Sequence, residues 1–511
     1  TGESRPERPP HRRRSPAVSA TAAVLGGGFG GIAAALRLRA RGYSVQIIDR
    51  CPRLGGRAQV FERGGYRHDA GPTVLTAPWL FTELFELFGE SLTDHLELRP
   101  LDPWYRFRFP DESQFDYAPD MERMESEIAR FNPDDVAGYH GLLSESRELF
   151  EIGFRELGDQ PFHRAGFMIR QAPRLLRLRF DRSVYSMVAR HIQHPYLRRA
   201  LSLQPLLVGG NPFDTTCIYG LIHYLEREWG VHFAMGGTGA LVDAMAGLLE
   251  RQGVVVENGR SVTRLGRTGR RISSIDLDDG RQITPDVVVS NMDPMHLYGE
   301  LMDNPPVVAG IKRRIAAPSM GLFVLYFGTD RQYPELAHHT IWLGERYKEL
   351  LHDIFDRKVL SDDFSLYLHR PTATDPGFAP PGHDSYYVLA PVPNLLGDID
   401  WAQEGPRLQR RIIEALERSI MPGLSAHVRS AFHMTPEHFR ENYQSVHGTG
   451  FSIAPLFRQS AWFRFHNRAE GLDNLYLVGA GTHPGAGLPG VLSSARVLDR
   501  LIDSTAAEPA A

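Results

Sequence analysis

The sequence predicts an α/β fold in which a discontinuous Rossmann-like domain for a dinucleotide carries an α+β second domain formed by two insertions. Three observations support this fold. A strand, a glycine-rich loop, a helix and a second strand follow one another from residue 21, and a second glycine-rich segment, "NLYLVGAGTHPGAGLPGV", occupies residues 474–491. Two stretches too long to be loops separate the segments that have nucleotide-fold character. With 511 residues the chain is long enough for two or three domains.

The first unit has the residues that a dinucleotide pyrophosphate requires. Its parts are the strand 22–25, a G-x-G-x-x-G loop with Gly26, Gly28 and Gly31, the helix 32–41, the strand 44–48 and Asp49. The first glycine permits a tight turn, the second lets the backbone approach the pyrophosphate, and the third lets the helix pack on the strand. The helix N-terminus faces the phosphates, and Asp49 is placed to bind ribose hydroxyls. The motif alone does not distinguish NAD from FAD.

Composition sets limits on the class of protein. Apolar residues make up 42% and charged residues 23% of the chain, which is typical of a soluble globular protein. The net charge of -4 does not favour a nucleic-acid partner. Cys51 and Cys217 are the two cysteines, so we expect a reducing cytoplasm, and no Cys/His spacing predicts a metal site. No apolar run is long enough for a spanning helix. Residues 1–20, rich in proline and arginine, are predicted to be a disordered tail.

Several further motifs show a resemblance to a known family. Beyond the first unit they are "RLGGRAQV" at 53–60, "DAGPT" at 69–73, "LLVGGNPFDTTCIYGLIHYLEREWGV" at 206–231, "GGTGALVDAM" at 236–245, "DDFSLYLHRPTATDPGFAPPG" at 362–382, "SYYVLAPVPNL" at 385–395 and "QSAWFRFHNR" at 459–468. Together with the C-terminal glycine segment, they resemble the bacterial carotenoid desaturases, the phytoene desaturase family. The resemblance extends from about residue 21 to the end of the chain.

The resemblance implies an FAD-binding domain of the glutathione reductase and amine oxidase class. It would be formed by residues 21–115, 236–295 and 471–511, and the substrate and membrane-associating domain by residues 116–235 and 296–470. The second phosphate region would meet Gly56 and Arg57, and the adenine ring would pair with the backbone near Val262. The flavin half would lie against the second glycine segment, beside the helix expected from about Gly490; the implied contacts there are Gly479, Ala480, Gly481, Gly487 and Leu488.

The implied reaction is the FAD-dependent desaturation of phytoene to neurosporene or lycopene. Because the substrate is a hydrocarbon, its site should be a dry pocket of aromatic and aliphatic side chains. The candidates for lining it, each with a place in the packed core as the alternative, are Trp229, Phe233, Phe364, Tyr367, Tyr386, Tyr387, Trp462 and Phe465. Family members often carry an Arg-Asp pair in the stretch aligned with 163–170, but this chain has Gly166-Phe167 there and keeps Arg170. The candidate catalytic residues are therefore His483, Arg170 and His466, with Asp363 as a weaker candidate for the base.

Partners and competing functions follow from the same resemblance. Residues 163–192 contain seven arginines interleaved with apolar residues, which favours an amphipathic helix at a membrane surface, although a solvated basic face has the same pattern. We expect peripheral association with the inner or intracytoplasmic membrane from the cytoplasm, and a quinone or dioxygen as electron acceptor. The alternatives are another carotenoid oxidoreductase of the family (a later-step desaturase, an isomerase or an oxidase), a flavin amine oxidase, and a non-catalytic prenyl-lipid carrier. The oligomeric state is not indicated.

Overall fold

A computed structural model describes residues 20–504, so nearly all of the predicted tail at 1–20 lies outside the described residues. The strands are β1 (Thr21–Leu25), β2 (Ser44–Asp49), β3 (Val60–Arg63), β4 (Tyr66–Asp69), β5 (Leu98–Pro100), β6 (Tyr105–Arg108), β7 (Gln114–Tyr117), β8 (His232–Ala234), β9 (Val255–Asn258), β10 (Val262–Thr268), β11 (Arg271–Leu277), β12 (Gln282–Ile283), β13 (Val287–Ser290), β14 (Gly321–Thr329), β15 (His339–Trp342), β16 (Leu366–His369), β17 (Asp384–Val392), β18 (Val428–Met434) and β19 (Leu475–Leu477).

The helices are α1 (Phe29–Ala40), α2 (Trp79–Glu86), α3 (Met121–Phe131), α4 (Asp135–Phe150), α5 (Ala165–Arg177), α6 (Val184–His191), α7 (Pro195–Leu201), α8 (Leu221–Trp229), α9 (Gly237–Arg251), α10 (Pro294–Gly299), α11 (Val307–Ile315), α12 (Tyr347–His352), α13 (Trp401–Ser419), α14 (Leu424–His427), α15 (Pro436–Tyr443) and α16 (Leu488–Asp499). Two π-helical segments, Glu151–Glu156 and Asp353–Arg357, continue α4 and α12. None of the helices within residues 20–504 has the length and apolar character needed to cross a bilayer.

The first sheet confirms the predicted discontinuous α/β fold. Its five strands lie in the order β19-β13-β1-β2-β9, and all neighbours are parallel. These strands come from three distant parts of the chain, including its C-terminal end. Alternate residues of β1 face opposite layers: Ala22 and Val24 pack towards α1, α9 and α16, whereas Ala23 and Leu25 pack towards β10, β11 and α10. A parallel sheet covered on both faces requires this continuous apolar pattern.

The second sheet has seven strands in the order β18-β14-β17-β16-β15-β6-β7. Every pair is antiparallel except β15 with β6. Strand β14 is buried along its whole length, with α13 packed on one face of the sheet. Strands β6 and β7 come from residues 105–117, so the end of the segment predicted as 21–115 pairs with the second sheet and not with the nucleotide sheet. The division into domains at the predicted boundaries therefore stays a proposal.

The arginine-rich segment 163–192 forms two helices, where the pattern suggests one. Helix α5 ends at Arg177 and α6 begins at Val184. Between them, Arg179 has a φ of 53°. The intervening turn is also tied to a distant part of the chain, because the backbone N–H of Cys217 donates to the carbonyl of Arg182 at 2.8 Å. Sequence periodicity does not detect such long-range anchoring.

Candidate active site

A cavity of about 260 Å³ lies at the carboxyl ends of β1, β2 and β13. We call it the nucleotide cavity. Ligands of doubly wound α/β sheets bind at this edge. Nine of the twelve predicted cofactor-contact residues line the cavity: Gly26, Gly28, Asp49, Gly56, Arg57, Val262, Ala480, Gly487 and Leu488. Their individual contacts with a cofactor remain predictions.

The other three predicted contacts, Gly31, Gly479 and Gly481, do not line this cavity and instead allow close packing. A Cβ on Gly31 would lie 2.0 Å from the carbonyl oxygen of Gly26. A Cβ on Gly481 would lie 2.3 Å from Cδ of Pro294, and one on Gly479 would lie 2.5 Å from the side chain of Asn291. For Gly31 this is the packing role that the motif assigns to its third glycine.

Asp49 is fixed at the end of β2 by backbone donors. Its carboxylate accepts hydrogen bonds from the N–H groups of Gly27, at 2.5 Å, and Cys51, at 2.7 Å. Burial raises the pKa of Asp49, and these two hydrogen bonds oppose the shift. The carboxylate is therefore held in one orientation beside the first glycine loop.

The nucleotide cavity also contains a buried cationic side chain with an unused donor. Arg57 donates from Nη2 to Oγ of Ser445 at 3.0 Å, while its Nε is buried without a partner. Burial lowers the pKa of Arg57. An unused guanidinium donor suits a phosphate oxygen, because charge-assisted hydrogen bonds to phosphate satisfy both donor and charge.

Residues after β13 and around α15 complete the nucleotide cavity and were missed by the sequence analysis. They include Asn291, Asp293, Asn442, Tyr443 and Phe451. For Asn291 and Asp293 the sequence does contain a signal, since both follow the apolar run of β13 (Val287–Ser290) closely, at the sheet edge where ligands bind. For the residues near α15 the sequence has no such signal, because they lie in a segment predicted to belong to the other domain.

We call residues 479–487 the C-terminal glycine loop. Hydrogen bonds from the buried side chain of Arg464 to backbone carbonyls hold this loop in place. This side chain is 1% exposed. Its guanidinium donates to the carbonyls of Thr482 at 3.0 Å, Ala480 at 2.6 Å, Gln459 at 3.2 Å and Ile453 at 3.4 Å. Helix α16 follows the loop and begins at Leu488, two residues before the predicted start. Its N-terminus lies where the nucleotide cavity meets a second cavity.

The second cavity, about 310 Å³ in volume, has mostly apolar walls, and we call it the apolar cavity. Its walls come from the π-helical segment after α4, from α5, α8, β15–β17 and from residues 457–463. The two cavities share eight lining residues: Pro72, Leu207, Tyr387, Leu389, Phe451, Ala486, Gly487 and Leu488. The two cavities therefore meet at these eight residues, which we call the junction.

Comparison with known proteins identifies the family. Residues 29–497 match the family model of the flavin-containing amine oxidoreductases. The chain is 47% identical over 476 residues to the lycopene-forming phytoene desaturase of Pantoea ananas, covering 93% of this chain and 97% of that protein. It is 40% identical to the neurosporene-forming phytoene desaturase of Rhodobacter capsulatus, covering 94% of this chain and 93% of that protein. The chain belongs to the phytoene desaturase family.

Solved structures agree with this family at the level of the fold. An oxidoreductase from Methanosarcina mazei superposes with a TM-score of 0.66 at 16% identity, covering 94% of this chain and all of that one. Cyclohexylamine oxidase from Brevibacterium oxydans superposes with a TM-score of 0.59 at 16% identity, covering 95% and 99% of the two chains. The predicted family, fold class and FAD cofactor are confirmed: this family member is an FAD-dependent oxidoreductase.

The nucleotide cavity fits an FAD on its own residues. Gly28 lines the cavity, and a Cβ there would meet Nδ2 of Asn291 at 2.9 Å, so this position favours glycine and leaves the backbone open to a pyrophosphate. The unused Nε of Arg57 is a donor for a phosphate, and the fixed carboxylate of Asp49 is an acceptor for a ribose. The N-terminus of α16 presents its positive end to the opposite end of the cavity, where reduced flavin would carry negative charge.

Of the eight aromatic residues expected in the substrate pocket, Tyr367 and Tyr387 line the apolar cavity. The other six lie elsewhere, mainly in packed layers between helices and sheets: Trp229, Phe233, Phe364, Tyr386, Trp462 and Phe465. For these six residues the alternative interpretation, a place in the packed core, is the one that the structure supports. The other aromatic residues of the wall were not among these candidates: Phe154, Phe162, Phe180, Tyr219, Phe451, Phe457 and Phe463.

The candidate catalytic residues have different environments. His483 lines the apolar cavity, and burial lowers its pKa to about 3, so the ring is neutral. His466 is buried away from both cavities, with its Nε2 2.9 Å from the carbonyl of Trp462. Arg170 is exposed on α5, and Asp363 pairs with Arg346 at 2.9 Å. The structure therefore brings His483, but not the other three, to the place where a substrate would lie.

Three buried histidines lie beside the apolar cavity, although the sequence spacing predicts no metal. Ring nitrogens of His338, His339 and His369 lie within 4.8 Å of one another. His338 and His369 are 3.0 Å apart at Nε2, and Nδ1 of His339 is 2.8 Å from the hydroxyl of Tyr367. Burial lowers the pKa of all three rings, which are therefore neutral. Tyr367 links this group to the cavity wall.

Proposed function

We propose that this chain desaturates phytoene to more conjugated carotenes, with neurosporene or lycopene as end product, in carotenoid biosynthesis. The observation that carries the proposal is the junction of the apolar and nucleotide cavities at Pro72, Tyr387 and the end of the C-terminal glycine loop. Bound FAD supplies a hydride acceptor. Relatives of this chain are named lycopene-forming and neurosporene-forming phytoene desaturases, which supports the assignment.

The walls of the apolar cavity suit a hydrocarbon better than an amine. A polyene has no polar group to bind, so its position must come from the shape of the wall and the exclusion of water. Leucine, isoleucine, phenylalanine and proline side chains make up most of this wall. An amine substrate would require polar partners where the two cavities meet, and of the eight lining residues that they share only Tyr387 carries a polar side-chain atom.

The product formed in cells tests this proposal. Expression in a host that accumulates phytoene should convert it to coloured carotenes, and the number of conjugated double bonds in the extracted pigment counts the desaturation steps. Protein that retains FAD but leaves phytoene unchanged would contradict the proposal. Conversion of added ζ-carotene without conversion of phytoene would identify a later-step desaturase instead.

The electron acceptor is proposed to be a quinone or dioxygen. Both compounds can accept electrons directly from reduced flavin, so no additional electron-transfer protein is required. Flavin reduced by substrate under anaerobic conditions should be reoxidised by an added quinone, by air, or by both, and the faster reaction identifies the acceptor. Reduced flavin that reacts with neither would contradict this part of the proposal.

We propose that the protein binds the cytoplasmic side of a membrane through the region around the entrance of the apolar cavity. Phe457 and Phe463 line the cavity and are 45% and 42% exposed, so they mark where it opens. Beside them, Lys312 on α11 donates to the carbonyls of Trp462 and Arg464. Helix α11 also exposes Val307, Val308, Ile311 and Ile315. Apolar side chains beside an entrance suit a substrate that arrives from lipid.

The arginines of segment 163–192 contribute less to this surface than their number suggests. Arg174 pairs with Glu156, Arg177 with Glu148 and Arg190 with Glu145. The sequence shows one acid within the segment, whereas the fold brings glutamates from α4 and the π-helical segment against it. Apolar contact by α5 and α11 is therefore the main proposed source of binding, with residual basic charge attracting anionic lipid.

Liposome flotation tests the membrane surface. Replacing Val307, Val308, Ile311 and Ile315 together with serine should leave most of the protein unbound, because each loses apolar area that would enter the lipid interface. The matched control replaces Val255 and Leu396, which are 56% and 53% exposed on other elements, and should float like the unchanged protein. Equal flotation of all three proteins would contradict the proposed surface.

A further inference from the structure

One acidic side chain faces the apolar cavity. Among the residues that the structure describes, Glu226 is the only aspartate or glutamate lining this cavity, and it is 1% exposed. Its Oε1 accepts a hydrogen bond from the hydroxyl of Tyr105 at 2.7 Å, whereas its Oε2 is buried without a partner. A buried carboxylate oxygen without a partner is costly, so its retention requires an explanation.

Helix α8 directs Glu226 towards the substrate. Leu221, Ile222, Leu225 and Glu226 all line the cavity, and their spacing of one and four residues places them on one side of the helix. Three of these four side chains are apolar, as expected for a wall that contacts a hydrocarbon. Packing alone would favour an apolar residue at position 226, so the carboxylate there requires another explanation.

Polar contacts connect Glu226 with the junction of the two cavities. Thr73 follows Pro72, which lines both cavities, and its Oγ1 lies 2.6 Å from the hydroxyl of Tyr367. Burial raises the pKa of Tyr105 well above its usual value, and the charges of Glu226 and Tyr367 add to this shift. The ring of Tyr105 packs on His339 with the centroids 5.8 Å apart, and Nδ1 of His339 lies 2.8 Å from the hydroxyl of Tyr367, so contacts between neighbouring side chains lead from Glu226 to the cavity wall at Tyr367.

The surroundings of Glu226 hold its pKa near neutrality. Burial raises the pKa to about 7, while the hydrogen bond from Tyr105 and the charge of Arg227 lower it. The titratable or charged groups that interact with it are Tyr105 on β6, Tyr117 on β7, Tyr139 on α4 and Arg227 on α8, and His223 on α8 contacts Tyr117 behind them. A group whose pKa lies near the working pH is an efficient proton acceptor.

We propose that Glu226 is the proton acceptor of the desaturation. Two neighbouring saturated carbons each lose one hydrogen. One carbon loses its hydrogen as a hydride with both bonding electrons, for which bound FAD would supply the acceptor. From the other carbon a proton passes to Oε2 of Glu226, and the electrons of that C–H bond form the new double bond. After the hydride has left and before the proton leaves, the substrate carries a positive charge. Conjugation spreads this charge along the polyene, and the negative carboxylate stabilises it. This assignment rests on the proposed phytoene desaturation.

Two substitutions test the assignment. Glu226→Gln keeps the acceptor for Tyr105 but cannot take a proton, so we expect the desaturation rate to fall by about 10²-fold or more. In the unchanged protein the rate should rise with pH through about 7, because the carboxylate must be deprotonated. Tyr105→Phe removes a hydrogen bond that lowers the pKa of Glu226, so the rising limb should move to higher pH while FAD content stays the same.

Infrared spectroscopy provides a readout that does not depend on activity. A protonated carboxyl band titrating near pH 7 should be present in the FAD-loaded protein and absent in Glu226→Gln. Full activity of Glu226→Gln with an unchanged pH profile would overturn the assignment. If that variant does not fold, an unmoved pH limb in Tyr105→Phe would overturn it. An unchanged protein that holds FAD but never converts phytoene would instead contradict the proposed function itself.

Discussion

Replacing Gly31 with alanine is expected to yield protein that holds little or no FAD. The added Cβ would lie 2.0 Å from the carbonyl oxygen of Gly26 and 3.1 Å from its carbonyl carbon. Because both atoms belong to the backbone of the first glycine loop, the loop or α1 must move. Overpacking of this kind costs about 1–3 kcal/mol, and here the displaced atoms belong to the loop that is predicted to hold the pyrophosphate. Flavin absorbance per protein after purification measures the effect.

Gly310 is the matched control for this substitution. It lies inside α11, and a Cβ there has no atom within 4 Å. Alanine at this position should keep the flavin content and raise the free energy of unfolding by about 0.5–1 kcal/mol, since alanine is the better helix former. A Gly31→Ala protein that binds FAD as well as Gly310→Ala would contradict the packing role of Gly31.

Replacing Arg464 with methionine is expected to disorder the C-terminal glycine loop. The substitution removes all hydrogen bonds from the guanidinium to the carbonyls of Thr482, Ala480, Gln459 and Ile453. Each buried carbonyl left without a donor costs about 1–3 kcal/mol, so the total loss should exceed about 3 kcal/mol. Thermal unfolding followed by flavin fluorescence should show a lower midpoint and earlier flavin release.

Two further variants separate geometry from charge at this position. Arg464→Lys keeps the positive charge but cannot reach all the carbonyls, so its midpoint should fall between those of the methionine variant and the unchanged protein. Arg458 is exposed two residues before Ser460, and Arg458→Met should change the midpoint little. If Arg464→Met and Arg458→Met unfolded at the same temperature, the proposed support of the loop would be wrong.

Features encoded within a short stretch of chain were predicted well. The unit from β1 to Asp49 has the predicted order, and its strands and helix lie within a few residues of the predicted bounds. The last strand, β19 (Leu475–Leu477), lies within the second glycine-rich segment that the sequence analysis singled out at 474–491. These elements follow from apolar periodicity and glycine spacing, which are local properties of the sequence.

Features that depend on distant segments were predicted poorly. Six of the eight candidate pocket aromatics proved to pack in core layers, because an aromatic residue in a motif has the same pattern whether it faces a cavity or a neighbouring helix. The arginines of 163–192 suggested an open basic face, but the fold places three glutamates of other elements against them.

The sequence by itself determined the family, the FAD cofactor and the two glycine segments that meet at one sheet edge. Glycine spacing, a ribose-binding acid and motifs along the whole chain are readable without coordinates, because each is a local pattern. Only the tertiary structure decided which residues wall the apolar cavity and that it joins the nucleotide cavity. It also revealed that Glu226, followed by two charged residues within "LEREWG", is buried at the wall of the apolar cavity. Burial and contacts between residues far apart in sequence arise from packing, and packing is a property of the whole chain.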